Sequence, residues 1–156
     1  MLGIGQIATR MKEVIRPAQI VQTQQTSTVS TTSTSFVDLT GMSVDIRPVS
    51  VTSKILVIVN SNTSLAGGNT WWAQLVRGTT VIGGGADGIA LGDAGATNVG
   101  AQFYTTLYID SPATTSATTY KVQWKVDGST GVANGWGDGT GLRTSQSTIT
   151  VMEILA

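Results

Sequence analysis

The side chains of this chain best suited to acid–base work are nine carboxylates, because it contains neither histidine nor cysteine. That absence removes imidazole catalysis, thiolate nucleophiles, disulfides and the commonest transition-metal ligands. Two carboxylates facing each other across a sugar could still hydrolyse a glycosidic bond. Asp45, Asp110 and Asp127, however, fall at the ends or on the polar faces of extended segments, Glu13 lies in the opening stretch, and Glu153 stands between Met152 and Ile154. None forms an acid/base pair along the chain, so no catalytic residue is assigned and no enzyme is expected. Asp87, Asp93 and Asp138 sit in glycine-rich stretches where oxygen ligands could gather round calcium, but their spacing matches no calcium loop and turn chemistry accounts for them. GIGQ and GWGDGTG neither follow a strand nor open a helix, as a phosphate-cradling loop must. No cofactor and no metal are predicted.

With chemistry set aside, composition points to shape. The chain has 156 residues, 40% of them hydrophobic, which suits one domain with a real core. Nine basic residues balance nine acidic ones at 12% charged content, which leaves no electrostatic footprint for nucleic acid or an anionic membrane. No apolar run approaches the roughly 20 residues of a membrane span, and MLGIGQIATRMKEVIR lacks the continuous apolar centre of a secretion signal.

The elements read as strands. SPATTSATTYKVQWKV, from Ser111 to Val126, passes from a bland loop to strict alternation, with Tyr120, Val122, Trp124 and Val126 on one side and Lys121, Gln123 and Lys125 on the other. FVDLTG leads into Met42, Val44 and Ile46 alternating with Ser43, Asp45 and Arg47. Lys54 to Asn60 is apolar on both faces and is expected to be a central strand covered on each side. WWAQLV runs to a hairpin tip at Arg77-Gly78-Thr79-Thr80, Gly83 to Gly100 is expected to be a long surface connection, and STITVMEILA closes the chain as a strand. In AQFYTTLYID, Phe103, Leu107 and Ile109 share one face and Tyr104 and Tyr108 the other. About eight strands with long connections predict a Greek-key or jelly-roll β-sandwich, with an immunoglobulin-type sandwich as runner-up.

The first sixteen residues stand apart, at +2 against −2 for the remainder. Ile4, Ile7, Met11 and Ile15 follow helical spacing and Arg16-Pro17 is a stop, which predicts two or three amphipathic turns too short to stand alone. Residues 1–25 are read as an arm and 26–156 as the sandwich; within Gln22 to Ser35 a polar edge strand is expected. The arm's apolar side chains are expected to anchor to a partner. Trp71 and Trp72, adjacent in an extended segment, must face opposite ways, so one can meet a neighbouring copy. Together with Tyr104, Tyr108 and Glu153 they form the candidate subunit interface, Glu153 because a carboxylate among apolar neighbours requires a partner.

FVDLTGMSVDIRPVSVTSKILVIVN, LVRGTTVIG, DSPATTSATTYKVQW and STITVMEI, in that order over most of residues 30–155, resemble small β domains of tailed-bacteriophage structural proteins. The resemblance implies a trimeric jelly roll, similar in outline to tumour-necrosis-factor-like heads, on the virion surface, with no catalytic motif. A short arm leading directly into such a body is more like a capsid decoration (cement) protein, a homotrimer bound to the major capsid protein. A tail-fibre tip that binds a host receptor is the alternative.

Overall fold

The computed structural model describes residues 17–65, 70–93, 101–135 and 145–155. Ile4, Ile7, Met11 and Ile15 lie outside the described residues, as does Asp138. Among the described residues the regular structure is strand. In chain order the elements are β1 (Gln19–Gln25), β2 (Val29–Thr31), β3 (Val37–Ile46), β4 (Lys54–Leu65), β5 (Thr70–Arg77), β6 (Thr80–Gly83), β7 (Ala90–Asp93), β8 (Ala101–Asp110), β9 (Thr118–Val126), β10 (Gly131–Ala133) and β11 (Ser147–Ile154).

Two antiparallel sheets pack face to face. In the first, β1 pairs β11, β11 pairs β4, and β8 pairs the opposite edge of β4. The short strands β10 and β2 continue this sheet beyond β11 and β1, with β10 against Thr63–Leu65 of β4. In the second, the order is β3, β9, β5, and the far edge of β5 is shared by β6 at one end and β7 at the other. Taking β1 with β2, β6 with β7 and β10 with β11 as single interrupted strands leaves eight positions, ordered first–eighth–third–sixth and second–seventh–fourth–fifth. That is the connectivity of a jelly roll, and the runner-up immunoglobulin topology does not apply.

Alternation fills the space between the sheets. Ile55, Val57, Val59, Ile149 and Val151 face Val44, Trp71, Leu75, Tyr120, Val122 and Trp124, all buried. On β3 the buried positions Leu39 and Met42 are three apart because Gly41, at φ +81°, makes a bulge where the register with β9 shifts. Two boundaries differ from the sequence expectation. Gln19–Gln25, assigned to the arm, is an edge strand of the first sheet, paired to β11 through its backbone ladder and through Gln19 and Gln22, which donate to Glu153 and Thr150. Within the connection after Gly83, Ala90–Asp93 is a strand on β5. Its glycine serves close approach: a Cβ on Gly92 would collide with Gln102 Oε1 and the Trp71 indole.

Candidate functional site

The acidic residues are held one by one. Asp110, at the end of β8, is buried and accepts from Arg77 Nη1 at 2.8 and 2.7 Å and from the Tyr120 hydroxyl at 2.6 Å. Burial, and then the hydrogen-bonded carboxylate beside it, push the Tyr120 hydroxyl well above its ordinary range. Asp38 on β3 accepts from Lys121 Nζ at 2.8 Å and Gln123 Nε2 at 2.7 Å, and these two donors hold its carboxyl below the usual value. Asp45 accepts from the Thr119 hydroxyl, and Asp127 from the Thr70 amide at 2.9 Å. Among the described residues no three acidic side chains gather as a metal site. Each of these carboxylates ties strands together.

Glu153 departs from the expectation of a partner in another subunit. It points into the sandwich with 0% exposure and finds its donors in its own chain, Gln19 Nε2 at 2.6 Å and the Val49 amide at 2.8 Å. Burial raises its pKa, but the Gln19 amide, the Ser53 side chain and the backbone of Val49 and Ser50 outweigh burial and leave it lowered. β11 is therefore inverted at this end, with the carboxylate inside and Met152 and Ile154 outside.

The other interface candidates also separate by face. Trp71 is core; its Nε1 donates to Gln102 Oε1 at 3.1 Å and its ring lies 4.9 Å from that of Tyr104. Tyr104 and Tyr108 turn inward against the core, where burial pushes the Tyr104 hydroxyl up to about 12 despite a bond to Ser61. Trp72 does face out, with Lys125 Nζ 5.0 Å from its ring and 4.7 Å from that of Phe36. These placements follow from one choice, the side of β5 and β8 that turns to the core, which alternation leaves open when both sides are apolar.

The same choice leaves an apolar surface uncovered on the opposite side. On β8 the outward residues are Phe103 (78% exposed), Leu107 (63%) and Ile109 (62%). Register places Ile109 beside Leu56 of β4, Leu56 beside Met152 of β11, and Met152 beside Ile20 of β1, so one apolar row crosses all four strands. The next row reads Leu107, Ile58, Thr150 and Gln22, and the one after it Thr105, Asn60, Thr148 and Gln24. No residue of these rows is charged, and Lys54, one step beyond, gives its ammonium to Ser111 Oγ at 2.7 Å. The expectation that Lys54–Asn60 is covered on each side fails here: Ile55, Val57 and Val59 are buried, whereas Leu56 and Ile58 are only partly covered. Monomeric proteins rarely expose contiguous apolar patches beyond a few hundred Å2, and the largest patch on such a surface is often functional. The signal for this surface was in the sequence, in strands apolar on both sides at 54–60 and 101–110 and in Glu153 flanked by Met152 and Ile154.

Fold and surface together define a jelly-roll β-sandwich with one uncharged apolar outer sheet face. No family model matches the sequence, and no curated protein matches it significantly. Among solved structures the chain is similar to chains in structures of infectious bursal disease virus and of its VP2 protein. For the Gx strain the identity is 15% and the TM-score 0.38, over 90% of this chain and 38% of the viral one. For the Gt strain the values are 17% and 0.40, over the same shares. The chain thus spans well under half the length of the viral chains it matches.

Proposed function

We propose that this chain is a non-enzymatic structural protein of a tailed-phage virion: a homotrimeric capsid decoration protein that holds the shell through its first residues. The observation that carries the reading is the uncharged apolar outer face of the β1–β11–β4–β8 sheet, a surface suited to protein contact on a body in which Asp38, Asp45, Asp110, Asp127 and Glu153 are bonded within the chain. A clamp needs a rigid body and multiplied weak contacts. Whatever binds only the assembled shell stabilises it by its binding free energy, and three linked arms act together with far more avidity than one. Ile4, Ile7, Met11 and Ile15 are the anchoring side chains in this reading. Deleting residues 1–16 leaves a folded β protein that no longer cosediments with particles; a truncated chain that still decorates them overturns the arm as anchor.

The alternative, a tail-fibre tip for a host receptor, draws on the other outer face, where Trp72 and Phe36 flank Lys125 near the amides of Gln74 and Gln123. Copy number separates the two: a decoration protein is a major band of purified particles on a stained gel, and a fibre tip a trace one.

A further inference from the structure

We infer that the outer face of the β1–β11–β4–β8 sheet is where copies of this chain meet, with a second copy as its occupant. The inference rests on the assembly proposed above and adds the surface that builds it, which leaves the arms free for the shell.

Size comes first. Four strands about 4.8 Å apart, seven to twelve residues long at about 3.3 Å each, give a face of roughly 600 Å2 in projection. Side-chain relief raises the accessible area above the projection, towards the roughly 800 Å2 per partner of a standard interface. The anatomy also fits. Ile20, Met152, Leu56, Ile109, Ile58 and Leu107 form a contiguous apolar area, and the Thr, Asn and Gln positions beside it resemble an interface rim.

Those rim groups are already paired sideways, Gln22 Nε2 to Thr150 Oγ1 at 2.8 Å and Thr105 Oγ1 to Asn60 Oδ1 at 2.6 Å. Covering them therefore strands fewer polar groups than covering bare amides would. Charge selects the occupant. A charged partner would lose hydration against these rows and meet a single charge, the Lys54 ammonium at their border, whereas a second copy brings the same uncharged chemistry. β8 adds a further feature: among the described strands it pairs only with β4.

The test compares the full-length chain with Leu107→Lys and with Val81→Lys, which lies on the outer face of the other sheet, by sedimentation at micromolar concentration. The expected result is an oligomer for the parent and for Val81→Lys, and a single folded chain for Leu107→Lys. A single-copy parent, an undisturbed Leu107→Lys oligomer, or dissociation by Val81→Lys instead would each overturn the inference. Should Leu107→Lys not fold, amide hydrogen exchange of the parent decides: β4 and β8 exchange more slowly when assembled than after dilution, and equal rates overturn it. An oligomer that never attaches to particles refutes the decoration role and leaves this surface standing; a decorating single chain does the reverse.

Discussion

Along β9 the outward side chains are Thr119, Lys121, Gln123 and Lys125, and along β8 they are Phe103, Thr105, Leu107 and Ile109. The first set is knitted together: Gln74 donates to Gln123, and Gln123 and Lys121 both donate to Asp38. Lys125 lies over two aromatic rings. The second set has no such accounts to settle, and what it lacks is cover. Burying a fully exposed Leu, Ile or Phe is worth about 1.5–3 kcal/mol, so the mostly exposed side chains of β8 represent several kcal/mol left for association. The difference teaches that the two sheets share an interior and diverge in purpose outside it.

Five substitutions would break or sharpen that contrast. The largest effect is expected where inside and outside are neighbours in sequence. Trp71→Ala should lower unfolding stability by about 3–5 kcal/mol, whereas Trp72→Ala, which loses a stacked lysine at a partly exposed site, should cost less than about 1 kcal/mol. Similar losses in chemical denaturation would mean that the polar outer face holds the body together. Glu153→Ala comes next, at about 1–3 kcal/mol, because it leaves the Val49 N–H without its acceptor and the Gln19 amide with only the Arg47 carbonyl.

The same carboxylate makes stability depend on pH. Its folded pKa lies below the ordinary 4.5, so its contribution is complete above that value and is lost as pH falls through the lowered one. Denaturation midpoints should therefore fall in acid more steeply for the parent than for Glu153→Gln, and parallel curves would count against this role. The smallest effect belongs to Asp38→Ala. Its ion pair is exposed, so the loss should stay below about 1 kcal/mol and shrink in high salt. A large, salt-independent loss would show that the knitted face does more than satisfy itself.

Much of the fold was legible because strands with a polar side announce their orientation. Tyr120 to Val126 is the clearest case, and the hairpin at Gly78, with φ +57°, another. Legibility failed where backbone or symmetry of hydrophobicity carried the information. β7 has few side chains to betray it, since Gly92 is there to let Trp71 and Gln102 come close. β1 carries mostly polar side chains, so its start was not legible; what places it is the main-chain ladder to β11, with Gln19 and Gln22 bonding across to Glu153 and Thr150. At β8 both sides are apolar, and sequence could offer Tyr104 and Tyr108 for an interface as readily as Phe103, Leu107 and Ile109. The sheet's register decided, sending the tyrosines inward, where the core partners are, and stacking the aliphatics into a row with Leu56, Met152 and Ile20.

Hydroxyl-radical footprinting of the intact chain tests the central claim most directly, because each outer face carries a reactive side chain. At assembling concentration Phe103 and Met152 should be shielded and Trp72 modified, with the shielding lost on dilution. Modification of Phe103 and Met152 at the pace their exposure in a single chain predicts, at every concentration, would contradict it.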